Sequence, residues 1–576
     1  MKTPISKRKC FLFGGAAIVV ATVTGVLVWQ FGVKKSKSLS NGAVVTNGYQ
    51  CSAIGTTVLE NGGSVADAAI AALFCEGVSL PQSMGLGGGF LMTIYEKETG
   101  KVRSLNSREV APGAATVNMY NGSSSLAQRG GLSVAVPGEL KGYWTLHQEY
   151  GKLPWKDLVQ PTIDMCKEGI YVTAFLARIY LSSKDLLMSD PVLRDIFIDP
   201  STTEPYIEGQ YVKILRFAKT LEIIADEGVH ALYSANGSLI KGFVDDIKQN
   251  NGIITEEDLI NYQPEWQEPV RAVLNDNHTL YTSPLPGSGV VLTYILNILD
   301  GLLNLDQLYT TQTVQRIIES FKFGYGHRTL LGDANFVNVT ELVANLTSKS
   351  YAKDIRSKIF DDRTSQDPTY YGAKASLVED HGTAHISILA PNGDAISVTS
   401  TINYVFGAGF ASNSTGIILN DEMDDFALPN VTNLFGLAPS EANFIAPGKR
   451  PLSSMVPSII VKDDDVVLVT GAAGGTKITT VIASILVKHL WYDVDIQTAM
   501  DDKRVHHQLS PMTVEFEEGF NETYPDISRD IVSIGHEVKY TPTSNGFSAV
   551  TSVTTKNGEI KGAYDIRRGG YISYMS

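Results

Sequence analysis

Two runs in which polar and apolar residues alternate, 383–390 and 395–403, flank Pro391-Asn392-Gly393, and this pattern constrains the chain more than any other stretch. Period-two alternation marks a half-buried β-strand, and a short Pro/Asn/Gly break between two such runs marks a hairpin. In the first run Thr383, His385 and Ser387 share one face, with Ile386 and Ile388 on the other. In the second, Ser397, Thr399, Thr401 and Asn403 oppose Ile396, Val398 and Ile402. Like faces coincide only across a loop of odd length. A three-residue loop, with Pro391-Asn392 in a type I turn and Gly393 left-handed, meets that condition. It sets Thr383 opposite Thr401 with Asn403 just beyond, so three small polar side chains converge at one strand end.

A threonine hydroxyl is a poor nucleophile unless a base stands beside it, and a free N-terminal amine on the same residue is such a base. Its ordinary pKa of about 8 suits proton transfer near neutral pH. Cleavage between Gly382 and Thr383 would put both groups on one residue. Gly382 also gives the backbone the freedom to bring the hydroxyl onto its own preceding carbonyl. Taken alone, the stretch is more simply read as a β-branched residue that merely opens a strand.

The 576 residues are enough for two to four average domains or for one large α/β sandwich. Residues 11–33 carry no charge, a run long enough to cross a bilayer as a helix. The run is too long for a signal peptide and lacks an Ala-x-Ala exit, so it reads as an uncleaved anchor behind a cytoplasmic tail, 1–10. Flanking lysines and arginines barely decide its orientation. Asn-x-Ser/Thr tripeptides do: those starting at Asn121, Asn236, Asn277, Asn338, Asn345, Asn413, Asn430 and Asn521 all lie beyond the anchor. The expectation is a single-pass type II plasma-membrane protein, held in the lipid bilayer through 11–33, with its catalytic part extracellular. Cysteine usage agrees, because Cys51 and Cys75 flank a short segment that a disulfide could close, leaving Cys166 unpaired. Residues 1–37 hold seven basic and no acidic side chains, so the remainder carries −21 against the whole chain's −14. Nucleic acid is excluded as a partner for so acidic an ectodomain.

Along the chain, Ser64 reads as a helix N-cap with Asp67 three residues on. Helical spacing runs through 215–227, 240–250 and 311–331, and strands through 91–95, 458–461 and 466–469. Arg108 is a candidate anion ligand. Asn420-Asp421-Glu422-Met423-Asp424-Asp425-Phe426 suits an ammonium ligand, a metal or plain solvent. The paired hydroxyls of Ser453 and Ser454 suit a carboxylate. Gly471-Ala472-Ala473-Gly474-Gly475-Thr476 stands between a strand and a helix start, where backbone N–H groups collect over an anion, and reads best as an oxyanion hole. EF-hand, HExxH and CxxC spacings are absent, so neither metal nor cofactor is expected.

Together, Gly382-Thr383-Ala384-His385, Thr399-Ser400-Thr401-Ile402-Asn403, Glu422-Met423-Asp424-Asp425-Phe426, Pro451-Leu452-Ser453-Ser454-Met455 and the glycine turn resemble the γ-glutamyltransferase (glutathione hydrolase) family of N-terminal nucleophile hydrolases. The likeness runs from about residue 42 to the C-terminus. It implies an α/β fold, a four-layer αββα sandwich, formed by both halves of an autocleaved chain: a large subunit, 34–382, and a small catalytic one, 383–576. It implies Thr383 as nucleophile with its own amine as base, Thr401 positioning the hydroxyl, and N–H groups of Gly474 and Gly475 at the oxyanion. Arg108, Ser453 and Ser454 would hold a glutamyl α-carboxylate, and Asn403, Glu422 and Asp425 its α-ammonium. Glutathione and other γ-glutamyl compounds are the implied donors, and water, amino acids or dipeptides the acceptors. Vertebrate members carry a second cysteine pair; this chain has none near 189–198, which suggests a looser loop there. The competing readings are an amidase of the same fold acting on another acyl donor and a cleaved surface protein without catalysis.

Overall fold

The structure is a computed structural model that describes residues 40–375, 382–429, 438–543 and 547–575. The expected anchor, 11–33, and tail lie outside the described residues; among these, no helix is long and apolar enough to cross a membrane.

The strands of the two large sheets are, in chain order, β1 (Gly42–Thr46), β2 (Gly89–Glu96), β3 (Lys101–Ser107), β4 (Glu265–Gln267), β5 (Val270–Val273), β6 (Thr279–Thr282), β7 (Ala384–Leu389), β8 (Ala395–Thr401), β9 (Ser458–Lys462), β10 (Asp465–Ala473), β11 (Ala549–Lys556), β12 (Glu559–Tyr564) and β13 (Tyr571–Met575). The first sheet runs β13-β1-β7-β8-β2-β3-β4 and the second β12-β11-β10-β9-β6-β5. Every neighbouring pair in both is antiparallel.

Helices α1 (Cys51–Glu60) and α2 (Val65–Ser79) lie on the outer face of the first sheet. Helix α3 (Ala174–Ser182) follows later in the same half, and α4 (Gly289–Leu299) and α5 (Lys477–Leu486) cover the second sheet. The layers are therefore helix, sheet, sheet, helix, as the resemblance implies. The Ser64 cap forms as read: Asp67 N–H donates to Ser64 Oγ at 3.0 Å, and Ser64 N–H to Asp67 Oδ2 at 2.9 Å. Helices at Leu215–Glu227, Ile240–Gln249 and Thr311–Arg328 match the helical spacing to within three residues. Cys51 and Cys75 form the disulfide, which ties α1 to α2, and Cys166 is buried and free.

Near 189–198 the chain is not loose. Asp190 caps a short helix, Pro191–Phe197, by accepting from Val192 and Leu193 N–H, and Val192, Leu193, Ile196 and Phe197 are buried. Apolar packing and a cap do there what a disulfide does elsewhere.

Register in the hairpin follows the sequence: Ala384 pairs with Ser400, His385 with Thr399 and Ser387 with Ser397. The half-buried reading needs correction, however, because both faces of β7 and β8 are buried. Ile386, Ile388, Ile396 and Val398 face α2 within one apolar core, while the polar face meets β10 and β11 of the second sheet. There polar groups satisfy one another, as buried polar groups must. His385 Nδ1 shares a 2.8 Å hydrogen bond with Thr399 Oγ1, Ser387 Oγ donates to Thr551 O and Ser397 Oγ to Thr470 O, both at 3.0 Å. Burial pulls His385 down to about 3, so it is neutral at physiological pH.

Candidate active site

Thr383 stands where β7 begins, in the middle of the first sheet and facing the second. Two hydrogen bonds frame the Gly382–Thr383 bond. Thr401 Oγ1 donates to the carbonyl oxygen of Gly382 at 2.7 Å, and Gly474 N–H donates to Thr383 Oγ1 at 2.9 Å. Thr401 in turn accepts from Asn403 N–H at 2.8 Å. Thr383, Thr401 and Asn403 are all buried.

Local backbone explains these placements. Asn403 follows β8 in the left-handed region at φ +67°, a conformation Asn tolerates better than most residues, and its amide donates to Asp421 O at 3.2 Å. Gly474 leaves β10 at φ +132°, and a Cβ there would lie 2.7 Å from Ser548 Cα, so only glycine brings its N–H to the hydroxyl. Gly475 follows at φ +61°, and α5 starts two residues on.

The other predicted residues form a second cluster. Arg108, just beyond β3, is 1% exposed; its Nη1 pairs with Glu422 and its Nη2 with Asp425. Its Nε also donates to Pro451 O at 3.3 Å and its Nη2 to Leu452 O at 3.1 Å, which brings the Ser453-Ser454 segment alongside. Ser453 Oγ accepts from Met455 N–H and Ser454 Oγ from Arg328 Nη2. The acidic stretch is therefore neither a solvated loop nor a row of free carboxylates. Residues 420–426 are buried throughout, and Glu422 and Asp425 hold the cation expected to hold the substrate's anion. Burial works against the Arg108 charge, but Glu422, Asp425 and Glu109 outweigh it and raise its pKa. Burial pushes Glu422 up to about 8, with Arg108 pulling the other way.

Two residues that sequence reasoning missed complete the picture. Glu109 is fully buried 3.9 Å from the Arg108 guanidinium, neither of its oxygens has a hydrogen-bond partner among the described residues, and burial pushes it up to about 8. Arg568 Nη1 donates to Thr383 O at 2.6 Å. Burial draws Arg568 down to about 10 against the pull of Glu76. Its only sequence signal was Arg567-Arg568-Gly569-Gly570, the sole Arg-Arg pair in the chain. Beside the bond lies a cavity of about 510 Å³ with Gly382, Gly474, Tyr404 and Arg568 in its wall. None of Arg108, Glu422, Asp425, Ser453 and Ser454 lines it.

Known proteins are similar to this chain over most of its length. The chain is 42% identical over 539 residues to scoloptoxin SSD14 of Scolopendra dehaani, covering 92% of each chain. It is 38% identical over 535 residues to glutathione hydrolase proenzyme 1 of Schizosaccharomyces pombe, covering 92% of this chain and 83% of the relative. Its fold matches the crystal structure of cephalosporin acylase from Bacillus halodurans with a TM-score of 0.80 at 24% identity, over 93% of this chain and 96% of that one. The γ-glutamyltranspeptidase family model matches residues 51–575, and the chain belongs to that family.

Proposed function

We propose that this protein cuts itself between Gly382 and Thr383 and then cleaves the γ-glutamyl amide bond of glutathione and related compounds. The observation that carries the proposal is the pair of hydrogen bonds framing the Gly382–Thr383 bond. Thr401 polarises the Gly382 carbonyl, while Gly474 fixes the Thr383 hydroxyl beside it. Attack by Oγ forms a C–O bond as the C–N bond breaks, giving an ester and a free Thr383 amine. Water then hydrolyses the ester, leaving a Gly382 carboxylate and a free hydroxyl. In the resulting pair of subunits, 34–382 and 383–576, the Thr383 amine takes the hydroxyl proton as Oγ attacks the donor's γ-carbonyl. That proton passes to the departing amine, and the γ-glutamyl-Thr383 ester is resolved by water or by an amino acid or dipeptide amine. The N–H groups of Gly474 and Gly475 stabilise the oxyanion, for which preorganised donors are commonly the largest single contribution.

The charge cluster fits the donor's free amino-acid end. Its carboxylate replaces Glu422 and Asp425 on Arg108, with Ser453 and Ser454 adding hydroxyls, and its ammonium takes Glu422 and Asp425 beside Asn403. A zwitterion thus exchanges one set of ion pairs for another without leaving a buried charge alone. Residues 11–33 would anchor the protein in the plasma membrane with the catalytic part outside. The exposure of all seven described sequon asparagines fits glycosylation on that side.

Thr383→Ala tests the reading: the variant is expected to remain one polypeptide and to release nothing from a chromogenic γ-glutamyl anilide. A Thr383→Ala protein that is still cut at this position and active would remove the nucleophile.

A further inference from the structure

We propose that Glu76 and Asn47, which both precede the cut, are positioning residues for the nucleophile: through Arg568 they fix the Thr383 carbonyl, and so keep the Thr383 hydroxyl on its line of attack after cleavage. The inference rests on the functional reading above and adds two residues that reach the chemistry from outside it.

Glu76 lies near the end of α2 and is 0% exposed. In the turn that follows β1, Asn47 N–H donates to its Oε1 at 2.7 Å and Gly48 N–H at 2.8 Å. Oε2 is buried with no hydrogen-bond partner among the described residues. Gly48 has to be glycine, because a Cβ there would lie 2.8 Å from Cys51 Sγ and 3.3 Å from Glu76 Cγ. The Cys51–Cys75 disulfide brackets this contact and keeps the turn against the helix. A carboxylate in so dry a place is costly unless an opposite charge faces it, and here that charge is Arg568. Asp565, the other acid that acts on Arg568, is already engaged by Arg504 and Arg567. Burial raises Glu76 to about 7 against the pull of the two amides and of Arg568, so its ionised form prevails above neutral pH.

Asn47 carries the hold across the cut. Its N–H goes to Glu76, and its Nδ2 donates to Gly569 O at 3.0 Å, next to Arg568. The Arg568 guanidinium carbon also lies 5.3 Å from the centroid of the Phe175 ring on α3. Charge, neighbouring main chain and an aromatic ring thus fix the guanidinium, whose Nη1 donates to Thr383 O at 2.6 Å.

Before cleavage Thr383 is held at three points: by its bond to Gly382, whose carbonyl accepts from Thr401, by Gly474 at the hydroxyl, and by Arg568 at the carbonyl. Cleavage removes the first. The new terminal residue is then freer to turn about its own Cα–C bond, and the bond from Arg568 opposes that rotation. Misplacing a reacting atom by about 1 Å costs up to about 10²-fold in rate. The donor's charge cluster of Arg108, Glu422 and Asp425 shares no residue with these contacts, so loss of the hold lowers turnover and leaves donor affinity alone.

The test measures kcat and KM for anilide release from γ-glutamyl-4-nitroanilide by the cleaved full-length protein, with the thermal midpoint of each variant. Glu76→Gln keeps an acceptor for both amides and removes the charge; it is expected to lower kcat about tenfold, with KM within about twofold of the wild type. Arg568→Met is expected to lower kcat at least as far, and adding Glu76→Gln to it to cost less than about twofold more, because both act through one contact. Asn47→Ala keeps its N–H and loses only the bond to Gly569, and is expected to lower kcat about threefold. A Glu76→Gln protein that retains kcat, or loses as much without Arg568 as with it, overturns the proposal, and so does a loss confined to KM or to the thermal midpoint. Should Glu76→Gln not fold, Asn47→Ala decides alone, and a wild-type kcat there overturns the proposal. A wild type that releases no anilide overturns the functional reading and the positioning role with it, whereas an active wild type matched by these variants overturns the positioning role only.

Discussion

Arg108 lies 1% exposed against Glu422 and Asp425, whereas Arg178 stands exposed in the wall of the cavity beside the Gly382–Thr383 bond, where no partner among the described residues engages it. Both regions are cationic centres, yet they impose different demands. In the buried cluster every charge is matched before a ligand arrives. A lone carboxylate entering there would leave Glu422 and Asp425 stranded, and a lone ammonium would strand Arg108, so only a ligand offering both charges enters at low cost. The open cavity imposes no such matching and tolerates variety. One side selects, and the other accommodates.

The largest effect that would break this contrast comes from the buried side. Arg108→Ala leaves Glu422 and Asp425 buried without their cation, and loss of one partner of such a pair costs about 2–5 kcal/mol. Steady-state kinetics is expected to show kcat/KM reduced by at least tenfold for every γ-glutamyl donor alike, whatever its leaving group, with self-cleavage retained. Arg108→Lys is not expected to rescue it, because a point charge cannot serve Glu422, Asp425 and two carbonyls at once. A loss confined to donors with charged leaving groups would mean that the two sides had been assigned the wrong way round.

A smaller effect sharpens the account of the buried cluster. Glu109 holds its proton up to about pH 8 in the folded protein, against an ordinary value of 4.5. Folding therefore takes up a proton between those values, and the stability that Glu109 contributes falls as pH climbs through that window. Glu109→Gln, which cannot ionise, is expected to match the wild type near pH 5 and to exceed it by about 1–3 kcal/mol at pH 8.5, as read from denaturant midpoints. An equal difference at both pH values would show that Glu109 is ionised throughout.

How much of this was legible in the sequence depends on how local each feature is. The hairpin register, the Ser64 cap and the helix at Leu215–Glu227 rest on contacts within a few residues, and each stands as the residues imply. The burial of the hairpin's polar face was not legible, because the residues that cover it, Thr470 and Thr551, come from strands some 70 to 170 positions away. For the same reason the residues of 420–426 alone left an ammonium ligand, a metal and a solvated loop all open, although the charge partner is Arg108, more than 300 residues earlier. Arg568 is joined to Thr383 only because β13 closes the sheet beside β1, which in turn pairs with β7. The motifs singled out these residues; only the fold reveals that the acids and Arg108 hold each other.

The most direct measurement is N-terminal sequencing, with intact mass, of the purified protein. The account predicts two chains, the smaller beginning at Thr383, together with turnover of glutathione. A single unbroken chain that turns over glutathione would contradict it.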